Sequence, residues 1–380
     1  MRILYLGFDI EGYGGIATYS RYQIAALKRL GHTATVVSID KQTGPGLAQG
    51  IADRKIAFGN RFAAVATLVR EAAAARGRYD LVMLNHVYLA GLGWLVKKTS
   101  GTPFTVNVYN IDILAKLPAL REAAFASADL VIADCQYTID WMPKYRRFVP
   151  PTGLLYDPVD VGFFKPLAKG AARARLAADY GWDDLAGKFV TTTVAAMLLP
   201  PNKGQRQTMD AIAKLDDPRI VYIVVGSGPD RADLEAYAHA KGLDGRVRFT
   251  GRAPQEHLPI LYAAADVATL IARGGPGWGE AVPLGLIEAA ACGTAFLCGN
   301  EDGSPEAIDT ADPCGIALGP LDVDAIAAAL RTMRDDPALC MRMGDAGVRT
   351  VEKLFAFERY VEQQERLLAR FVPATSARAA

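Results

Sequence analysis

Residues 277–299 read GWGEAVPLGLIEAAACGTAFLCG. Pro283 suits the first position of a helix, because the N–H it lacks would have had no intrahelical partner there. The stretch therefore predicts a helix from Pro283 to Ala291, then a buried strand in AFLCG. The N–H groups of Leu284 and Gly285 open that helix and point outward, an arrangement that suits a diphosphate. Glu280 stands just before the helix and Glu288 within it. Eight residues of helical rise give an upper separation of about 12 Å, the scale from hexose to ribose in a nucleotide sugar.

The same alternation of short strand and longer amphipathic stretch runs outward in both directions. In the second half, FVTTTVAAM, IVYIVVG, VRFTG and VATLIA read as strands, with helices at Gln205 to Lys214, Asp230 to Lys241 and Leu258 to Ala265. In the first half, ILYLGF, ATVVSI, LVMLN, FTVNVY and LVIAD are strands, separated by helices at Ile16 to Leu30, Arg61 to Ala75 and Ala115 to Ser127. This pattern predicts an α/β chain with two Rossmann-like, doubly wound domains. Val149 to Lys169 is rich in Pro, Gly and aromatics and has no helical period, so it reads as the connection, with the boundary near Pro166. The expected domains are 1–166, 167–355 and a last amphipathic helix, Ala356 to Phe371, within 356–380 that ends in the tail TSARAA.

The chain has 380 residues, 51% of them hydrophobic, with 42 Lys and Arg against 41 Asp and Glu. Near neutrality argues against general nucleic-acid binding, which needs a basic excess. The charge is unevenly divided, however: residues 1–168 carry 19 basic and 13 acidic side chains, net +6, and the remainder is net −5. That is read either as attraction between two halves or as a basic face for an anionic acceptor or membrane surface. Tyr137 to Phe148, YTIDWMPKYRRF, mixes aromatic and basic residues as an interfacial segment does. The 5 Cys show no metal or redox spacing and read as reduced thiols. With no leader and no apolar run long enough to span a bilayer, the expected location is the cytoplasm.

After the first strand, GFDIEGYGGIATYS lacks the G-x-G-x-x-G spacing of a dinucleotide loop, which disfavours a nicotinamide enzyme. Gly14 and Gly15 still let backbone approach an anion at a helix start. Neither a P-loop nor a nucleophile elbow is present, and the four His and five Cys form no metal-ligand pattern.

The Glu280 to Glu288 spacing within GEAVPLGLIEAAACG, with ADLVIADCQYTIDWM, YDPVDVGFFKP, VGSGPDRADLE, RVRFTGRAPQEHLPILYAAADV and GSPEAI in this order, resembles the retaining glycosyltransferases of family 4. Their fold is GT-B, two Rossmann-like domains facing each other across a deep cleft. The resemblance implies that the second domain binds a nucleotide-sugar donor and the first an acceptor, with no metal and no other cofactor. Glu288 would then accept from the ribose hydroxyls, Glu280 would contact the transferred sugar, and Lys203 would pair with the diphosphate as the leaving group gains charge. Gly15 would approach the phosphate from the first domain, and Arg252 would lie near the base. The last helix would cross back to the first domain.

Two positions depart from the family pattern. The arginine usual five residues before the lysine is Leu198 here, so Arg206 or Arg273 is expected to supply the second cation. A first-domain histidine is replaced by Tyr109 and Asn110, and these two, with His86 one strand earlier, are the candidate sugar or acceptor contacts. The expected activity is sugar transfer with retention to a carbohydrate or lipid-linked acceptor in cell-surface polysaccharide or glycolipid assembly, possible also at the inner face of the cytoplasmic membrane. A GT-B sugar-nucleotide epimerase and a non-catalytic GT-B subunit remain alternatives.

Overall fold

The computed structural model describes residues 1–12, 14–40, 49–57, 77–198, 203–275 and 278–372. The helix expected at Arg61 to Ala75 and the TSARAA tail lie outside them. The chain divides into unit one, Met1–Pro158 together with the segment from Phe357 onward, and unit two, Val159–Ala356. The crossover therefore falls at Pro158, eight residues before the expected Pro166. The reason is local: Pro166 packs within unit two, with its ring carbons 3.6 Å from where a Cβ on Gly293 would stand.

Unit one is a parallel sheet in the order β3-β2-β1-β4-β5-β6-β7. Its strands are β1 (Arg2–Phe8), β2 (Thr33–Asp40), β3 (Arg54–Ala57), β4 (Leu81–Leu84), β5 (Phe104–Val108), β6 (Leu130–Ala133) and β7 (Thr152–Leu154). Central strands β4, β5 and β6 are buried at every residue, which is why β4 and β6 read as unbroken apolar runs; in β5 the buried Asn107 donates to Gln23 Oε1 (2.7 Å). The helix Phe357–Leu368 completes this unit. Tyr360 meets Tyr19 edge-on at 5.9 Å, Gln364 Nε2 donates to the Gln23 carbonyl (3.1 Å), and Leu367 fills the space a side chain on Gly153 would need.

Unit two is a second parallel sheet in the order β10-β9-β8-β11-β12-β13. Its strands are β8 (Phe189–Val194), β9 (Ile220–Val225), β10 (Val247–Gly251), β11 (Val267–Leu270), β12 (Ala295–Gly299) and β13 (Gly315–Leu318). Chain order reverses at the β8/β11 junction, the topological switch point at which such sheets bind ligands beyond their carboxyl ends. Glycines let the loops close there. A Cβ on Gly226 would stand 2.0 Å from the Ala195 carbonyl oxygen and one on Gly228 2.1 Å from that of Met197. All five cysteines are buried and free. Among the described residues no helix is long and apolar enough to cross a membrane.

Candidate functional site

In unit two the loops after β8, β11 and β12 converge on Lys203, Glu280 and Asp302. Lys203 is placed by Gly204, which has φ +87° and lies so close to the backbone of Ile271 that an added Cβ would be 2.7 Å from its oxygen. The Lys203 N–H donates to Gln205 Oε1 (3.0 Å), fixing the turn into the helix Gln205–Leu215. Lys203 Nζ forms an ion pair with Glu280 Oε1. Burial pushes the Lys203 ammonium pKa down, and the Asp302 carboxylate opposes that shift.

Glu280 is held by its backbone. Its N–H donates to Asp302 Oδ2 (2.9 Å) and its carbonyl accepts from the Gly303 N–H (3.1 Å). Asp302 is itself buried and also accepts from the Ser304 N–H at Oδ1 (3.0 Å). Burial pushes its carboxyl up to about 6, while the Ser304 bonds and the Lys203 charge act the other way. Asp302 and its role in positioning Glu280 were not legible in sequence, although it directly precedes the GSPEAI segment.

The helix after Glu280 spans Leu284–Ala291, with Pro283 as its N-cap residue and not its first helical residue. The N–H groups of Leu284 and Gly285 open it, as expected for the first turn. Gly285 has a packing role as well, since a Cβ there would meet the Val194 carbonyl oxygen at 3.0 Å and the Tyr262 hydroxyl at 3.3 Å. That hydroxyl donates to Glu288 Oε2 (2.9 Å). Burial pushes the Glu288 carboxyl up to about 7, partly offset by the Tyr262 bond. Tyr262 is thus a second residue that sequence reasoning missed.

The two candidate phosphate cations occupy different surroundings. The Arg206 guanidinium lies 4.9 Å from the Tyr237 ring, on the side of the helix Arg231–Ala240. Arg273 is exposed in the β11 loop that also delivers Glu280, 5.3 Å from the Trp278 ring. Leu198 is 46% exposed. Arg252 is exposed directly after β10.

Unit one holds a separate concavity of about 270 Å³ lined by Phe8, Asp9, Gly14, Gly15, Ile16, Ala17 and His86. Gly14 caps the helix Gly15–Arg29 at φ +106°, and added side chains on Gly14 and Gly15 would meet open space. Asp9 takes φ 43°, a conformation that costs energy in a non-glycine residue and clusters at functional sites. His86 Nδ1 accepts from the Tyr88 N–H (3.1 Å), which places the ring proton on Nε2, 2.9 Å from Asp112 Oδ2. Both ring nitrogens are thereby engaged. Tyr109 and Asn110 do not line the concavity: both are buried, with the Tyr109 ring 6.2 Å from that of His86. The structure thus groups Gly14, Gly15 and His86 in unit one, and Lys203, Glu280, Leu284, Gly285 and Glu288 in unit two.

Comparison with known proteins gives two family matches, glycosyl transferases group 1 over residues 189–350 and a glycosyl transferase 4-like domain over residues 14–155. A GDP-mannose-dependent alpha-(1-6)-phosphatidylinositol monomannoside mannosyltransferase of Mycolicibacterium smegmatis is 30% identical over 269 residues, 68% of this chain and 68% of its own. A D-inositol 3-phosphate glycosyltransferase of Streptomyces avermitilis is 31% identical over 307 residues, covering 73% of this chain and 62% of its own length. Among solved structures, Anabaena Alr3699/HepE in complex with UDP superimposes with a TM-score of 0.80 at 20% identity, over 97% of this chain and all of that one. WaaG, a glycosyltransferase involved in lipopolysaccharide biosynthesis, does so with a TM-score of 0.71 at 16% identity, over 96% and 99% of the two chains. At those identities the structures speak to the fold.

Proposed function

Because this chain belongs to the family 4 glycosyltransferases of the GT-B fold, we propose that it transfers a hexose, with retention at the anomeric carbon, from a nucleoside diphosphate-sugar to a carbohydrate or lipid-linked acceptor. The observation that carries this reading is the Lys203–Glu280 pair, set at the start of the helix that bears Glu288. An ammonium paired with a carboxylate there is a diphosphate site in which the carboxylate stands in for the ligand's charge.

On donor binding, the diphosphate replaces Glu280 on Lys203 and takes the N–H groups of Leu284 and Gly285. Glu280 is released toward the sugar hydroxyls, and Asp302 keeps its backbone in place. Glu288 accepts from the ribose hydroxyls while Tyr262 holds its other contact. The acceptor hydroxyl then bonds to the anomeric carbon as the bond to the phosphate oxygen breaks. The acceptor proton passes to that departing phosphate, whose charge Lys203 stabilises. No protein nucleophile and no metal enters this scheme. The concavity of unit one beside His86 receives the acceptor, and the relatives that act on phosphatidylinositol-linked sugars support an acceptor at the inner face of the cytoplasmic membrane.

The test is a panel of UDP-, GDP-, ADP-, CDP- and TDP-sugars, read by thermal shift and by product analysis, with and without EDTA. One nucleotide should stabilise the protein, the stabilisation should be lost in Glu288→Ala, and the product should keep the donor's anomeric configuration. Release of an epimerised sugar without acceptor, an inverted product, or abolition by EDTA each contradicts the reading.

A further inference from the structure

Residues 8–12, which lead from β1 toward the helix Gly15–Arg29, are tied down one after another. The Phe8 N–H donates to Asn85 Oδ1 (3.1 Å), the Asp9 N–H to the Ile39 carbonyl (3.1 Å) and the Ile10 N–H to Ser38 Oγ (3.1 Å). Glu11 Oε1 accepts from the Ile51 and Ala52 N–H groups (2.7 and 2.9 Å), and the Gly12 N–H donates to the Asp9 carbonyl (2.8 Å). Arg21 closes the loop from the helix side, its Nη1 donating to the Ile10 and Gly12 carbonyls (3.0 and 2.9 Å). This scaffold holds Asp9 at φ 43° in the wall of the unit-one concavity. A glycine would take that conformation without strain, so backbone shape alone does not call for a carboxylate here. Strain kept in place by an over-determined loop clusters at functional sites.

The other walls of the concavity differ in chemistry from Asp9. Gly14, Gly15, Ile16 and Ala17 belong to a helix start with no side-chain cap, whose first N–H groups have no intrahelical acceptor. Phe8 and His86 meet edge to face with ring centroids 5.6 Å apart, and His86, with both nitrogens engaged, offers its ring surface. Among the described residues no Lys or Arg lines the concavity. Arg21 is spent on the loop carbonyls, Lys55 on Glu11 and Arg121 on the Tyr88 ring. An anion would find the helix N–H groups but would meet the Asp9 carboxylate without a countercharge. A ring that carries hydroxyls suits every wall: each hydroxyl can donate to the carboxylate or accept from an N–H, while the C–H face lies on the aromatic pair.

We propose that Asp9 selects the acceptor. The group that enters this concavity is an uncharged polyol ring, a hexose or a cyclitol, whose hydroxyls donate to the Asp9 carboxylate, and any phosphate of a lipid link stays outside. This rests on the acceptor role given to the concavity in the proposed function.

The experiment is saturation-transfer NMR of the full chain with matched probes, mannose against mannose 6-phosphate and myo-inositol against myo-inositol 1-phosphate. It is run on the wild type, Asp9→Asn and Asp9→Gly. The wild type should bind the uncharged member of each pair about fivefold more tightly or better, since a phosphate is set against a carboxylate. Both variants should weaken that binding about tenfold, the low end for hydrogen bonds to a charged group. Asp9→Gly should keep or raise the melting temperature, because it relieves the positive φ, so its lost binding is not lost folding. Asp9→Asn, which tolerates the same backbone, carries the test should the glycine variant melt earlier. Preference for the phosphorylated probes, no binding of either uncharged ring, or unchanged binding in Asp9→Asn overturns the proposal. Nucleoside diphosphate stabilisation of the same samples separates the two readings. Ring binding that is lost in the variants, without nucleotide binding, sinks the transferase and spares the preference of the concavity. Nucleotide binding equal in all three proteins, with neither ring bound, sinks the role of Asp9 alone.

Discussion

Lys203 Nζ and Glu280 Oε1 are directly paired, and the backbone that carries Glu280 hangs on the buried carboxylate of Asp302. In the proposed function a donor separates the pair, so the two residues should couple through the ligand more strongly than through each other. Lys203→Ala is expected to lower kcat by about a hundredfold to a thousandfold at saturating donor, the scale of removing one group that meets charge developing in the transition state. Glu280→Gln should act mainly on kcat as well, and a double-mutant cycle in steady-state kinetics should show losses well short of additive.

If Glu288 binds the donor as proposed, donor binding should depend on pH. Its carboxyl is pushed from 4.5 up to about 7 in the folded chain. Between those values the native state holds a proton that the unfolded chain has released. The group's stabilisation is therefore full at the acid end and is lost as pH rises through 7. If the ribose hydroxyls need the ionised form, nucleotide affinity should rise roughly tenfold from pH 6 to pH 8, and binding near pH 6 should release a proton. Calorimetry in buffers of different ionisation enthalpy reads both, and Glu288→Gln should remove the pH dependence.

Gly204 fixes Lys203 at a backbone conformation that side chains rarely adopt. Gly204→Ala meets both the φ of +87° and the backbone of Ile271. A loss of about 2 kcal/mol or more in urea unfolding is expected, together with weaker donor binding. Gly31→Ala, also at positive φ but facing open space, should cost less and leave donor binding as it was.

Arg273 is the better placed of the two candidate phosphate cations, since it shares the loop of Glu280 while Arg206 lies over Tyr237. Arg273→Ala should raise the donor KM severalfold, with Arg206→Ala close to wild type. Leu198→Arg should tighten nucleoside diphosphate binding by about tenfold, the low end for one charge-assisted hydrogen bond. It should also shrink the loss caused by Arg273→Ala, which isothermal titration of the single and double variants would show.

Legibility in the sequence followed burial. Strands β4, β8, β9 and β12 were readable because both faces are covered and every position is apolar or β-branched. Strands β3, β7 and β13 were not: RKIA is mostly exposed, TGL has three residues inside a Pro- and Gly-rich stretch, and GIAL is only half buried. Among site residues, Glu280 and Glu288 stood out because a helix start lies between them. Asp302 and Tyr262 did not, because they act across 22 and 26 residues through contacts that only the folded loops create. His86 was visible as a lone histidine, but the engagement of both its nitrogens was not.

Val159 donates its N–H to the Phe355 carbonyl (2.8 Å), so the outgoing and returning chains lie side by side where unit one hands over to unit two and takes the chain back. The segment from Phe357 onward thus furnishes part of the first unit. A premature stop after Ala356 would spare unit two and strip Tyr360, Gln364 and Leu367 from Tyr19, Gln23 and Gly153. The lesion would strike the amino-terminal half, although it is written at the carboxyl end. Anyone dividing this protein into pieces should cut it as a loop with an insert, joining 1–158 to the final helix, because a cut at a single point leaves one half uncovered.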